Sequence, residues 1–413
     1  MSALWSNPAI LNAARKGDTG VVIRLVRKAR GRSQADLGAA CGYSQSVVSR
    51  IERGQRHAYD IRILRRVAQV LDMPPQLLGL SGPLDSISDA PMNRRDFLAG
   101  AGGVAASTFL PPMPAPTTET PADGLRLVTA TQRRLDGTMP SRDLAEAVLA
   151  HLRVTGRAAA TADDIGARAR LAGALSEVAG FAGWLHWDMY DLGSARRYYD
   201  VAITSAREAG DPVLSAYMTG TLAAFAAELG DASESLALVA AANQQLGNDP
   251  PAIAVAWLSA VGALAHASAS DERAALAALD RSQAAVERQA DESPPWPWVF
   301  AFDSARVAAY RLACAVRLGK PHLAVRAAYD AGPMLVAPTR QAALWRLDHA
   351  DAHLQAGEVD YAFMIATDVL DASPAQQSAR IVNRARALRR GYAGRNPPTA
   401  VRRFDERIRT ART

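Results

Sequence analysis

The stretch from residue 34 to residue 53, QADLGAACGYSQSVVSRIER, constrains the fold of this chain more than any other. Two short helices that bury one shared face need apolar residues at helical spacing. The stretch has four of them: Leu37, Cys41, Val48 and Ile51. Gly38 is small enough for a close helix crossing, and Gly42 can adopt the positive φ that ends a helix. Ser44 then offers its hydroxyl oxygen to the free N–H groups of the next helix. The pattern predicts two short helices joined by a glycine turn.

Polar side chains are left on the outward side of the second predicted helix, and they are Gln45, Ser46, Ser49 and Arg50. A glutamine can bridge the N6 and N7 atoms of adenine, and an arginine can bridge the O6 and N7 atoms of guanine. Residues 1–80 carry 13 lysines and arginines against five acidic residues, a net charge of +8, whereas the whole chain has +6. Because this positive charge surrounds the polar face, we predict a surface that binds DNA.

Similarity to a known family extends on both sides of this stretch, from about Thr19 to Leu80. It is carried by the strings VVIRLVRKARGRSQ, SRIERGQR and DIRILRRVAQVLDMPPQLL. With them the segment closely resembles the Xre/Cro type of helix-turn-helix DNA-binding domain, which implies five helices within residues 1–80. The resemblance also implies a structural salt bridge between Arg27 and Glu52.

The resemblance assigns DNA contacts position by position. Contacts to base edges in the major groove are predicted for Gln45, Ser46 and Arg50. The resemblance also implies a phosphate contact for Gln34. Phosphate contacts are further predicted for Ser44 and Ser49 and, because they lie just past the second helix, for Arg53, Arg56 and His57. The alternative interpretation is that this helix face is only solvated, or that it contacts another protein.

Residues 81–122 are rich in Pro, Gly, Ser, Ala and Thr, which predicts a linker without a packed core. Within this linker, NRRDFLAGAGGVAASTFL resembles a twin-arginine export signal through Arg94 and Arg95. A predicted DNA-binding domain precedes the motif, and its apolar run is too short to cross a bilayer as a helix. We expect a linker or short docking helix, and contact of the RRDFL motif with a membrane is the alternative.

Residues 123–394 predict one helix after another, including five Ala-rich amphipathic segments that each begin at a loop. The loop positions are 37, 41, 48 and 38 residues apart, at Gly193, Gly230, Asp271, Gly319 and Gly357. This spacing resembles tetratricopeptide repeats, whose period is about 34 residues, and implies a helical solenoid. A solenoid has a concave face suited to a peptide, small-molecule or protein effector. Three prolines predict an interruption within the longest step: Pro294, Pro295 and Pro297.

The C-terminal residues are strongly basic. From residue 376 onward there are 11 arginines and two acidic residues, and residues 395–413 predict a basic tail. Residues 99–375 carry a net charge of −10. Docking of the tail on its own acidic repeats is therefore as reasonable an expectation as contact with DNA or with an anionic membrane.

The sequence lacks the motifs of the common enzyme classes: it has no P-loop, no GxSxG, no GxGxxG and no HExxH. His349 and His353 have the spacing of metal ligands on one helix face, yet a third ligand is missing. Cys41 and Cys314 fall on apolar faces of different predicted domains, which favours neither a disulfide nor a metal site and suits a reducing compartment. We predict no cofactor, no metal and no enzymatic activity.

Together these features predict an all-α protein with a helix-turn-helix domain, a linker and a tetratricopeptide-like helical solenoid. The layout resembles actinobacterial Xre-type regulators and peptide-pheromone-responsive regulators, and both imply a homodimer on paired operator half-sites. The expected function is sequence-specific regulation of transcription in the cytoplasm, at the nucleoid. The rival hypotheses are a repeat scaffold tethered to DNA and a membrane-associated regulator.

Overall fold

The computed structural model describes residues 3–15, 18–53, 61–78, 120–288, 302–337, 339–372 and 378–411. Across these ranges the chain folds into helices, and the only β-type pairing is one isolated bridge between Asp136 and Met139. The predicted all-α fold class is therefore confirmed.

Several sequence predictions concern residues outside these ranges. They are the RRDFL motif, the prolines at 294–297 and two predicted phosphate contacts, Arg56 and His57. The predicted linker, residues 81–122, extends too far, because a helix already begins at Pro121. The backbone N–H of Thr120, just before this helix, donates to the Asp123 carboxylate at 3.1 Å.

The N-terminal part packs five α-helices and two short 3-10 helices around one apolar core. The elements are a 3-10 helix at Ala3–Ser6, α1 at Pro8–Arg15, α2 at Thr19–Ala29, α3 at Gln34–Cys41, α4 at Gln45–Glu52, α5 at Ile61–Val70 and a 3-10 helix at Pro75–Leu78. The apolar residues predicted to share a face are all buried: Leu37, Cys41, Val48 and Ile51. Helix α1 precedes the segment in which helices were predicted, and its Ile10 and Ala14 belong to the same core.

The C-terminal part is a succession of helices. They are α6 at Pro121–Arg134, α7 at Ser141–Thr161, α8 at Ile165–Asp188, α9 at Leu192–Glu208, α10 at Pro212–Glu228, α11 at Ala232–Leu246, α12 at Ala252–Ser268, α13 at Glu272–Arg288, α14 at Ser304–Arg317, α15 at Pro321–Asp330, α16 at Gly332–Val336, α17 at Arg340–Gln355, α18 at Val359–Asp371, α19 at Ala379–Gly391 and α20 at Thr399–Thr410. Many neighbours in sequence pack as pairs, for example α8 with α9, α12 with α13 and α17 with α18.

These helical pairs curve into a closed ring. Six helices each contact the next in the order α8, α10, α12, α14, α17 and α19, and α19 contacts α8. Small side chains permit close packing between them, because alanines such as Ala223 and Ala260 are completely buried. The described C-terminal part is thus all-helical, and its two ends meet.

Polar contacts join the two ends of the ring at a place we call the ring junction. Arg340 of α17 forms salt bridges with Asp136 and Asp188, and one of its guanidinium nitrogens donates to the carbonyl of Met139 at 2.5 Å. Arg380 of α19 pairs with Glu228, and its guanidinium lies 3.8 Å from the ring centroid of Trp187. The partners of Arg340 in the loop between α6 and α7 lie about 200 residues away in the chain.

The predicted loop positions are found with one exception. Gly230, Gly319 and Gly357 have positive φ at the ends of helices, and Asp271 accepts a hydrogen bond from the N–H of Ala274 at the start of α13. Gly193 was predicted to lie in a loop, but it lies within α9. A Cβ at this position would lie 2.7 Å from the carbonyl oxygen of Ala14, so the residue is small because α1 approaches it closely.

The basic C-terminus differs from the predicted tail, because residues 399–410 form helix α20. Val401 and Phe404 are completely buried, and α20 packs on α18. Two of the C-terminal arginines are neutralised by nearby acidic side chains, since Arg389 pairs with Asp405 and Arg407 pairs with Asp371. The prediction of a tail relied on the many arginines and overlooked the apolar stripe that contains Val401 and Phe404. Burial of this stripe explains why the segment is helical.

Candidate nucleic-acid interface

The turn between α3 and α4 has the geometry that the sequence predicts. Gly42 has φ of +79° and ends α3. Gly38 is buried, and a Cβ there would lie 2.7 Å from the carbonyl oxygen of Tyr43. At the other end of α3, the hydroxyl of Ser33 accepts a hydrogen bond from the N–H of Asp36, whose carboxylate accepts one from the N–H of Ser33. The hydrogen bonds from Ser33 lower the pKa of Asp36.

A buried salt bridge fixes the end of α4 against α2. The Arg27 guanidinium donates to both carboxylate oxygens of Glu52, at 2.5 and 3.0 Å, and also to the carbonyl of Arg32 at 2.7 Å. Arg27 and Glu52 are only 7% and 3% exposed. The predicted pair is therefore present, and its burial makes it structurally far more consequential than an exposed pair.

The Glu52 carboxylate extends this contact to the surface through Gln34. The Gln34 amide nitrogen donates to Glu52 at 2.8 Å, and the Gln34 side-chain oxygen accepts from the Gln45 amide at 2.8 Å. A continuous chain of side chains thus runs from a buried arginine to the first residue of α4. The sequence assignment placed Gln34 and Gln45 on DNA separately and did not predict that they bond to each other.

Ser44 does not cap α4 in the predicted manner. It occupies the N-cap position, but its side chain makes no hydrogen bond to the backbone of the helix. Its hydroxyl instead shares a hydrogen bond of 2.8 Å with the hydroxyl of Ser46. The N–H of Val47 donates to the carbonyl oxygen of Ser44 at 3.0 Å. The N-terminus of α4 thus has no side-chain cap from Ser44, and helix N-termini bind phosphates readily.

The predicted contact residues differ in exposure. Gln45, Ser46 and Arg53 are exposed, whereas Ser49 and Arg50 are partly buried. The Nε atom of Arg50 is buried and has no hydrogen-bond partner among the described residues, while Arg53 donates to the carbonyl of Ser49 at 3.2 Å. The described part of the site therefore brings the start of α4 together with Gln34, and Arg50 and Arg53 lie further along the helix.

The C-terminal histidines pair with each other. The Nε2 atoms of His349 and His353 are 2.9 Å apart, and Nδ1 of His353 lies 2.7 Å from the Glu358 carboxylate. Burial, followed by the neighbouring His353, lowers the pKa of His349 to about 4. Among the residues that the structure describes, no three His, Cys, Asp or Glu side chains are grouped so that they could hold a metal ion.

Two further features bear on the alternatives raised by the sequence. Cys41 and Cys314 are free and buried, and burial raises the pKa of the Cys314 thiol to about 12. Within the described ranges, every helix is too short or too polar to span a bilayer.

Comparison with known proteins identifies the N-terminal part. Residues 23–78 match the family model of the helix-turn-helix, from α2 to the end of the 3-10 helix at Pro75–Leu78. This match supports a DNA-binding transcriptional regulator, and no feature of the site indicates catalysis. None of the curated proteins matches the chain. The matched family therefore accounts for α2 to α5, while α1 and the ring lie outside it.

Proposed function

We propose that this protein is a sequence-specific transcriptional regulator in which α4 enters the major groove of an operator. Gln45, Ser46 and Arg50 would contact base edges, with Gln45 suited to adenine and Arg50 to guanine. The observation that carries this proposal is the chain of hydrogen bonds from Arg27 through Glu52 and Gln34 to Gln45. A side chain that is held in place before binding loses less conformational entropy when it meets a base.

The surrounding polar groups suit the DNA backbone. Ser44 and the N-terminus of α4 lie where a phosphate would accept hydrogen bonds, and Arg53 is exposed at the end of the helix. We propose phosphate contacts for Gln34, Ser44, Ser49, Arg53, Arg56 and His57. These contacts would fix the position of α4 on the duplex, and the base contacts would select the sequence.

Selection of bound sequences from a random DNA pool tests the proposal. The full-length protein and the double variant Gln45→Ala, Arg50→Ala are selected in parallel at the same salt concentration, because phosphate contacts make affinity strongly salt-dependent. We expect the wild-type protein to enrich one site and the double variant to lose this enrichment while it still binds DNA weakly. Equal enrichment by both proteins would remove α4 as the reading helix. Failure of both to enrich a sequence would favour a scaffold tethered to DNA.

We further propose that the hairpins of the helical ring are tetratricopeptide-like, and that the ring pairs two copies of the chain and responds to an effector. One reading helix spans only a few base pairs, so paired half-sites raise both affinity and specificity. Leu323, Tyr329 and Val336 of α15 and α16 expose 48%, 88% and 82% of their surfaces, and in such a pair they would meet apolar side chains of the second copy. Light scattering of the wild-type protein and of Tyr329→Ser, Val336→Ser would show whether a dimer forms and whether it requires these residues.

A further inference from the structure

The short turn between α8 and α9 separates two long-range contacts. Asp188, the last residue of α8, faces Arg340 of the ring junction at 3.4 Å. Gly193, near the start of α9, lies against the carbonyl oxygen of Ala14 in α1. Asp188 and Gly193 are five positions apart in the chain. The place where the ring closes is therefore directly connected to the place where the DNA-binding part rests on the ring.

We propose that closure of the ring and seating of the helix-turn-helix segment are coupled through this turn. Opening the ring junction would displace the start of α9 and so release α1 and the 3-10 helix at Pro75–Leu78 from it. In the reverse direction, disturbance of the contact between α1 and α9 would loosen the ring junction, since coupling between two sites is reciprocal.

The ring junction has the character of an element with two states. Asp188 is completely buried, its carboxylate accepts a hydrogen bond from the Ser141 hydroxyl at 2.6 Å, and Arg340 is 3% exposed. A buried carboxylate without its counter-charge is costly, so partial withdrawal of Arg340 is unfavourable. The favoured states of the junction are therefore closed, with Arg340 between Asp136 and Asp188, or open, with these charges hydrated.

The turn itself is stiff enough to transmit a displacement. The N–H of Asp191 donates to the carbonyl of His186 at 2.8 Å, and the Asp191 carboxylate accepts from the N–H of Ser194 at 3.1 Å. Tyr190 has φ of +61°, a conformation that a tyrosine holds only where its surroundings fix it. A rigid connection of this kind moves as a unit.

The surface for α1 on α9 tolerates little change. A Cβ at Gly193 would lie 2.7 Å from a backbone oxygen of α1, which cannot rotate away as a side chain could. Ile10 and Ala14 of α1 are buried in the core of the DNA-binding part, and the 3-10 helix at Pro75–Leu78 also contacts α9. A shift of α9 would therefore displace residues of the same apolar core on which α4 packs.

Hydrogen exchange of the full-length protein without DNA tests the coupling in both directions. Arg340→Met alters the ring junction, and exchange is read in α1. Gly193→Ala alters the contact with α1, and exchange is read in α19 and at residues 136–144. We expect exchange on the far side to become at least about fivefold faster in each case, relative to α12, which serves as the internal reference.

Two control variants and one additional variant keep the test decisive. Gly156→Ala adds the same methyl group to α7, where the nearest atom would be a side-chain carbon at 3.9 Å, and Arg311→Met removes a partly exposed partner of Asp280. Neither should alter exchange in α1. If Arg340→Met does not fold, Asp188→Asn removes the buried charge with almost no change in shape. Faster exchange confined to the altered side, in both directions, would overturn the proposal.

The consequence of this coupling for DNA binding rests on the proposed function, whereas the coupling does not. If exchange shows coupling but the DNA selection enriches no sequence, the coupling is supported and the proposed function is refuted. If a sequence is enriched but each variant changes hydrogen exchange only near its own position, the proposed function is supported and the coupling is refuted.

Discussion

The amide of Gln45 donates a hydrogen bond to the side-chain oxygen of Gln34 at 2.8 Å, which joins a predicted base contact to a predicted phosphate contact. Gln34 is itself held by Glu52, and Glu52 by the buried Arg27. The orientation of the first side chain of α4 is therefore set by a salt bridge in the core of the domain. This arrangement predicts that residues away from the DNA surface influence which sequence is bound.

Replacing Gln34 by Ala should reduce discrimination between the selected operator and random DNA. One support for Gln45 is lost, and a neutral hydrogen bond contributes about 1 kcal/mol, which corresponds to roughly a fivefold change in the affinity ratio. The measurement is fluorescence anisotropy of labelled duplexes at one salt concentration. Gln69→Ala, at an exposed position of α5, is the matched control. Equal weakening on both DNAs would mean that Gln34 acts only on phosphate.

Replacing Arg27 by Met should destabilise the DNA-binding part by about 3–5 kcal/mol, because Glu52 is left buried without its counter-charge. The double variant Arg27→Met, Glu52→Leu should recover most of this loss. The measurement is urea-dependent hydrogen exchange of α2 and α4 in the full chain. Arg30→Ala, which breaks the exposed pair with Asp72, should cost less than about 1 kcal/mol. A similar cost for both single variants would contradict the importance of burial.

Replacing Gly42 by Ala should destabilise the turn by about 1–2 kcal/mol, because φ of +79° brings a Cβ too close to the following carbonyl oxygen. Gly124→Ala is the control, since this glycine lies within α6 and a Cβ there would meet no atom within 4 Å. That variant should stabilise α6 by about 0.5–1 kcal/mol. The midpoint of thermal unfolding should therefore fall in the first variant and rise or remain unchanged in the second.

The stability of the ring should decrease as the pH is lowered below about 6.5, the ordinary pKa of histidine. The pKa of His349 is lowered to about 4 in the folded protein, so the unfolded chain binds the proton more readily and acid favours unfolding. His349 is partly exposed, so solvent screening reduces the effect, and we expect a loss of about 1 kcal/mol between pH 7.5 and pH 5.

The measurement is urea unfolding followed by circular dichroism at both pH values. His349→Gln should make the loss between the two pH values smaller, because glutamine does not titrate. His322→Gln is the control, at a histidine on the partly exposed start of α15. An unchanged pH dependence in His349→Gln would assign the acid sensitivity to other groups.

The DNA-binding part could be predicted well from the sequence because its signals are local. The glycine turn, the apolar spacing and the Arg27–Glu52 pair were all predicted and are all present. The bond between Gln34 and Gln45 was not predicted, because it depends on how two helices cross. The Ser44 side chain was expected to cap α4, but a second hydroxyl at Ser46 offers it a competing partner.

The ring could be predicted only in part, because its decisive contacts are remote in sequence. A small residue after a leucine is typical both of a loop and of a close contact between helices. At Gly193 it marks a close contact between helices. The partner that requires a glycine there is Ala14, almost 180 residues earlier. The junction made by Arg340 and Arg380 likewise joins segments whose proximity no local pattern indicates.

The closure of the ring has a consequence for how the chain is made. In an open array of helical pairs each pair contacts only the neighbouring pairs, so a partly synthesised chain is already partly stable. Here Asp188 emerges from the ribosome long before Arg340 and Arg380, and until they arrive its carboxylate lacks its salt-bridge partner and Trp187 lacks the guanidinium that lies over its ring. Contacts across so many residues form slowly. The nascent protein therefore passes through a long interval in which its first helices are complete and its fold is not, and this is the period in which chaperones would be needed most.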